Sequence, residues 1–251
     1  MTNPVFFADS QDLSGLDAGD VFELGGAEGH HAATVKRIAA GEPVDLVDGS
    51  GLRLVCSVVQ SGAGMLLLQI DRRIEEPQPA PRLVLVQALA KDGRDELAIE
   101  TATELGVDAV IPWQADRSIV RWRPERLEKS MAKWQKTIQA AAKQARRARI
   151  PELHGLLDSA GLVRHAAAAE ATRLVVLHED AAAGLATQLA DWHEARQLLL
   201  VVGPEGGMSD RELALFDAAG ADRWRLGQHV LRSSTAGPAA LAVLGEALAR
   251  W

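Results

Sequence analysis

The sequence predicts an α/β protein: a mostly parallel sheet covered by helices on both faces, preceded by a smaller β-barrel of about six strands. Three observations carry this expectation. From residue 82 onward, short apolar runs of strand length alternate with helix-length stretches, the pattern of a parallel sheet with buried strands. The first 76 residues instead carry strand and turn signals with one short helical spacing. Between the two parts, EEPQPAP (75–81) holds three prolines in five positions, which continue neither a strand nor a helix. The expected organisation is therefore residues 1–76, a linker at 77–81, and residues 82–251.

In the first part, EGHHAATVKRIA (28–39) has the spacing of one short helix. EPVDLVDGSGLRLVCSVV (42–59) places two apolar runs around Asp48-Gly49-Ser50-Gly51, a hairpin signature. GMLLLQIDRR (64–73) supplies a further strand. In the second part, RLVLVQAL (82–89) is a strand and RDELAIETATELG (94–106) a helix stopped by its glycine. VDAVIPW follows as a strand, then a long helix from about 124 to 148. Further on come RLVVLHE (173–179), a helix near 183–190, and QLLLVVG (197–203). A helix from Ser209, the strand DRWRLG (222–227) and a helix from about Ser234 complete the chain.

On the long helix, Leu127, Met131, Trp134, Ile138, Ala141 and Ala145 step by four and three into one apolar stripe. Lys129, Lys133, Lys136, Lys143 and Arg147 fall opposite. The chain carries a net charge of −7, yet residues 117–149 hold 11 Lys and Arg against Glu125 and Glu128 alone. Such a stretch is a solvated face or the footprint of an anionic partner. The scarcity of acids favours the partner, because a merely solvated helix usually mixes signs. No apolar run reaches the ~18 residues of a membrane span, and MTNPVFFADSQ lacks the pattern of a signal peptide. A cytoplasmic location is the expectation. Cys56 is the single cysteine, which excludes an internal disulfide or thiolate zinc site, and no metal site is expected.

LLLVVGPEGGMSDREL (198–213) runs from aliphatics directly into three glycines around Glu205. The loop is either a tight turn or a place where backbone comes close to a ligand. It lacks the Lys-Ser or Lys-Thr of a phosphate loop, and G-x-G-x-x-G does not occur. A carboxylate beside bare amides suits a ligand with positive charge or donors. Ser209 and Glu212 have the spacing of a capping box that fixes the loop from behind. In LGQHVLRSSTAGPAAL (226–241), Arg232 precedes Ser233, Ser234 and Thr235, any of which could cap the last helix. Ligands of parallel sheets bind beyond the carboxyl ends of the strands, where His178, Gly203 and Gly227 stand.

VVGPEGGMSDREL followed by RLGQHVLRSSTA resembles the signature of the RsmE-type family of 16S rRNA uracil-N3 methyltransferases, in the SPOUT superfamily. HHAATVKRIAAGEPVDLVDGSG, ALAKDGRDELAIETATELGVDAVIPWQADRSIVRW and RLEKSMAKWQKTIQAAAKQARRARIP extend the resemblance over nearly the whole chain. It implies an N-terminal PUA-like, RNA-binding barrel and a C-terminal trefoil-knotted α/β domain. It further implies a homodimer, S-adenosylmethionine held by backbone, and methylation of a uridine at N3 in 16S rRNA of the small ribosomal subunit. The chain departs from the family at Ser234, where Glu is common, at Asp92, where Gly is common, and at Thr101, where a basic residue is common.

On this resemblance the cofactor is expected at Leu177 and His178, at Gly203, Glu205 and Gly206, and at Leu226, Gly227, Val230 and Leu231. Arg232 and Glu205 are the candidate catalytic side chains. Guanidinium stays protonated in proteins, so Arg232 is expected to stabilise charge on the uracil oxygens rather than act as the base. RNA phosphates are expected at Lys36, Arg37 and Arg53 of the barrel, and at Arg94, Arg117, Arg121, Lys133, Lys136, Arg146 and Arg147. The alternatives are a SPOUT methyltransferase acting on another rRNA or tRNA position, and a non-catalytic RNA-binding assembly factor.

Overall fold

The computed structural model describes residues 3–187 and 194–250. The chain forms two compact units, Met1–Gln78 with Ala142–Ile150, and Pro79–Ala141 with Pro151–Trp251. Among the described residues no helix is long and apolar enough to cross a membrane.

The first unit contains β1 (Val5–Phe7), α1 (Ser10–Leu13), β2 (Val21–Leu24), α2 (Gly26–His30), β3 (Pro43–Val47), β4 (Leu52–Gly62) and β5 (Met65–Glu75). They make one mixed sheet in the order β1-β3-β4-β5-β2, with β1 parallel to β3 and the other pairs antiparallel. The expected count of about six strands is therefore five among the described residues. Strand alternation builds the core: Leu52, Leu54, Cys56 and Val58 of β4 point inward with Leu66, Leu68 and Ile70 of β5, as a sheet buried on one face requires. The expected single helix over 28–39 is α2 continued by a π-helical turn, His31–Val35. At the hairpin, Asp48 Oδ1 accepts from the backbone N–H groups of Ser50, Gly51 and Leu52 at 2.7, 3.0 and 3.0 Å.

Ala142–Ile150, expected with the C-terminal part, packs with the first unit instead. Ala148 is buried with Val5 and Val47, Ile150 N–H donates to the Gly49 carbonyl at 2.9 Å, and Lys143 binds both Glu28 oxygens at 2.6 and 2.7 Å.

The second unit contains β6 (Arg82–Ala88), α3 (Arg94–Glu104), β7 (Ala109–Trp113), α4 (Pro124–Gln144), β8 (Glu152–Leu153), α5 (Ser159–Ala168), β9 (Thr172–Leu177), β10 (Ala183–Gly184), β11 (Gln197–Val202), α6 (Asp210–Ala218), β12 (Asp222–Arg225) and α7 (Ser233–Ala247). The sheet order is β10-β12-β9-β11-β6-β7-β8, and every pair is parallel. The uninterrupted apolar runs of β7 and β11 are buried almost throughout, which is why they read as continuous rather than alternating.

Two expectations shift, and one helix was not anticipated. The long helix ends at Gln144, because Arg146 takes a left-handed conformation at φ 57°. Within 183–190 the described residues form β10 and a 3-10 turn, Leu185–Thr187; the remainder of that expected helix lies outside the described residues. Helix α5 was not anticipated; Asp158 caps it by accepting from Gly161 N–H at 2.7 Å. Gly237 and Pro238 lie buried inside α7, within the helix expected from about Ser234. A Cβ on Gly237 would sit 2.7 Å from Leu85 and 3.4 Å from Val202, so the missing side chain is what lets α7 lie close on β6 and β11.

Candidate functional site

Because the sheet is parallel, β9, β11 and β12 all deliver their carboxyl ends to the same edge. A cavity of about 350 Å³ opens there, lined by Leu177 and His178 after β9, Gly203 and Glu205 after β11, and Val230, Leu231 and Arg232 before α7. Arg94, the first residue of α3, completes one wall. A smaller cavity of about 60 Å³ shares Leu177, His178, Val230 and Leu231 and adds Leu226. Six of the nine expected cofactor residues thus line the larger cavity, and Leu226 lines the smaller one.

Gly206 and Gly227 line neither space. Gly206 faces Arg117: an added Cβ would lie 3.4 Å from the Arg117 Cβ, and Arg117 Nη1 donates to the Gly206 carbonyl at 3.3 Å. Its bareness serves loop-to-loop packing. Gly203 lies under Met208, whose Cγ and Cε would be 3.2 Å from a Cβ there. The lining also includes Glu179, Gly207, Met208 and Ser233, which the sequence reading missed. Gly207, the third glycine of the loop, adopts φ 70°, a region that favours glycine.

The glycine loop is anchored from below. Ser209 and Glu212 form the expected capping box at the start of α6. Glu212, fully buried, also accepts from the Asp116 N–H at 2.8 Å and from the Ser159 hydroxyl at 2.7 Å. Ser159 in turn accepts from the Trp113 indole N–H at 3.2 Å. Asp116 accepts from Ser209 Oγ at 2.6 Å and from Arg211 at 2.6 and 3.0 Å; the Arg211 guanidinium holds its carboxyl below the usual range. A fully satisfied polar network of this kind fixes geometry rather than adding much net stability.

The cavity has two electrical poles. Glu205 supplies the negative one and pairs with Arg94 at 3.3 Å. Arg232 supplies the positive one, and among the described residues it has no ion-pair partner. Arg232 itself occupies the N-cap of α7, with no side-chain cap. The three hydroxyl residues expected to cap this helix instead form its first turn, where Ser233 Oγ accepts from buried Gln87 at 2.9 Å. The α7 amides therefore keep their positive dipole end at the cavity beside Arg232. Val230, which lines the cavity, is 75% exposed.

The expected RNA contacts divide. Arg94 lines the cavity, Arg117 packs on the glycine loop, and Arg121 donates to the Asp116 carbonyl at 2.7 Å. On α4, Lys129 and Lys136 are exposed, whereas Lys133 pairs with Glu96. Acids from other elements thus answer part of the helix's charge, which its own sequence conceals. In the first unit, Lys36, Arg37 and Arg146 are exposed and Arg147 is half-buried. Arg53 is committed to Asp45 and Glu76, both at 2.7 Å. Burial pushes the Cys56 thiol up to about 12, which makes it a small hydrophobe.

With this geometry in place, the comparisons with known proteins are specific. An RNA methyltransferase domain family matches residues 76–245. The ribosomal RNA small subunit methyltransferase E of Mycobacterium bovis is 44% identical over 237 residues, covering 94% of this chain and 90% of that protein. A Legionella pneumophila protein solved with the cofactor SAM bound is 28% identical, with a TM-score of 0.80 and 98% of each chain covered. A ribosomal RNA small subunit methyltransferase E from Neisseria gonorrhoeae shares the fold at 22% identity and a TM-score of 0.82, with 98% of each chain covered.

Proposed function

The chain belongs to the ribosomal RNA small subunit methyltransferase E family, and from that premise we propose that it moves a methyl group from S-adenosylmethionine to N3 of a uridine in 16S rRNA. The observation that carries the reading is the convergence of three strand-end turns on one cavity with Glu205 and Arg232 in its lining. The donor set fits the cofactor: apolar walls from Leu177, Val230 and Leu231 for the nucleoside, cavity-lining main chain at Gly203, and a carboxylate for its positive charge. When bound, the cofactor supplies an activated methyl on a sulfonium.

The chain's own residues do the remainder. Glu205 attracts and orients the cationic end of the cofactor, and Gly203, which also lines the cavity, offers it main-chain groups. The uridine must be unstacked to bring its N3 edge into the cavity. As the N3–C bond forms and the S–C bond breaks, the N3 proton passes to solvent. Negative charge on O2 and O4 of the base is met by the Arg232 guanidinium and the α7 amides. Ser234 carries no carboxylate to this step.

The same reading gives the first unit, its segment 142–150 included, an RNA-gripping role and makes the second unit the methyltransferase part. It also takes the active form to be a homodimer. Exposed Val230 supports this, since an apolar residue at a cavity mouth suits cover by a ligand or a second copy.

The test is nucleoside mass spectrometry of 16S rRNA from cells lacking the gene. N3-methyluridine should be absent and restored by the wild-type chain but not by Arg232→Ala. Undiminished N3-methyluridine in the deletion strain would overturn the assignment.

A further inference from the structure

We infer that the Arg94–Glu205 ion pair is a coupling device, through which cofactor occupancy decides whether Arg94 is available to position the RNA. The inference rests on the methyltransferase reading and goes beyond it, because it assigns an order of binding.

Arg94 is the first residue of α3, at the positive end of the helix dipole, where a cation needs an anion nearby. The two acids in its own first turn are already used. Asp95 is buried and accepts from the backbone N–H groups of Ala90 at 3.3 Å and Glu96 at 2.9 Å. Glu96 pairs with Lys133. Glu205 is therefore the anion that Arg94 has, at 3.3 Å, with both side chains partly exposed and both lining the 350 Å³ cavity.

A cationic ligand entering that cavity meets the same carboxylate. Glu205 can bond one partner well or two poorly, so a sulfonium or ammonium beside it loosens Arg94. Release of Arg94 needs only a turn of its side chain, because the pair is partly exposed on both sides, and the anchored glycine loop keeps Glu205 in place for the cofactor. A loosened Arg94, at the cavity mouth and with its helix dipole unanswered, takes an RNA phosphate as its next anion. Cofactor therefore binds first, and RNA then gains one phosphate contact.

The test measures binding of a 16S rRNA transcript across a salt series, with and without sinefungin. That analogue keeps a positive charge in place of the sulfonium and has no methyl to transfer. In the wild-type chain sinefungin should tighten RNA binding about 5-fold and steepen the slope of log K against log salt by about 0.7, the value of one added phosphate on a single strand. Glu205→Gln should show the tighter, steeper binding without any analogue. Arg94→Gln should show the weaker, shallower binding in both conditions, with a melting curve confirming the fold of each variant. Calorimetric binding of sinefungin with RNA affinity and slope unchanged would overturn the coupling and leave the methyltransferase reading standing. A tightening that persists in Arg94→Gln would also overturn it, by assigning the effect to the analogue's own charge. Absence of sinefungin binding would sink both.

Discussion

The mixed sheet and the strand-end cavity use positive charge in opposite ways. In the mixed sheet, β-pairing consumes it: Asp45 stands opposite Val55, so Arg53 is its diagonal neighbour across β3 and β4, and the pair closes at 2.7 Å. Arg73 is likewise taken by Glu75 and by the Leu16 carbonyl, and Lys143 by Glu28. In the parallel sheet β7 and β11 are buried almost throughout and carry no charge. Arg173 and Arg82 are paired with Asp222 and Glu152 on other strands, and it is at the carboxyl-end cavity that arginines are left for a ligand. There Arg232 has no ion-pair partner among the described residues and Arg94 holds a half-exposed one. An arginine's presence in a sequence does not reveal whether it is free to act; the element that carries it does.

The contrast breaks most sharply at Arg232. Arg232→Ala should lower turnover by roughly 10² to 10³-fold, the size of losing a donor to a developing oxyanion, while cofactor affinity moves less than about 3-fold. Single-turnover kinetics alongside calorimetry separates the two; unchanged turnover would show that Arg232 is not at the reacting base. Arg53→Gln should behave in the opposite sense, costing roughly 3 kcal/mol of stability by stranding buried Asp45, with the salt dependence of RNA binding intact. Urea unfolding beside a salt titration reads both, and a changed salt slope with unchanged stability would return Arg53 to the RNA surface.

Smaller effects sharpen the same division. Reversing Lys129 and Lys136 together should make the salt slope shallower by about 1.4, two phosphates on a single strand. An unaltered slope would make that helix face merely solvated. The smallest effect is electrostatic and remote from the site. Burial holds His154 below the ordinary imidazole range. The unfolded chain therefore takes up this proton first as pH falls below about 6.5. Stability is kept above that window and declines through it, and His154→Gln should remove about 2 °C of the melting-temperature loss between pH 7 and 5. An identical decline in the variant would assign it to other groups.

Sequence made the parallel sheet legible because continuous runs such as VDAVIPW and QLLLVVG admit few other fates. It made the site legible because glycines beside a carboxylate at a strand end are costly without a purpose. Ser209 and Glu212 announced their capping box by spacing alone. What stayed hidden depends on neighbours distant in the chain. Glu96 and Glu28 neutralise lysines of α4 that look unopposed in their own segment. The helix over Gly237 and Pro238 was expected, but not the reason for its glycine, because packing on Leu85 and Val202 cannot be seen locally. Gly206 was assigned to the cofactor, yet it faces Arg117. Asp92, standing where the resembled family commonly has Gly, occupies φ 59°, which explains why glycine suits the position and why Asp, among the more tolerant residues there, is accepted.

The central claim is that the turns after β9 and β11 and before α7 together hold S-adenosylmethionine. Titration calorimetry of the purified chain with that cofactor tests it most directly, with Gly203→Val as the comparison. The account predicts saturable binding with one site per chain, lost or weakened at least 10-fold when a valine fills the space under Met208. No heat in the wild-type chain, or equal affinity in the variant, would contradict it.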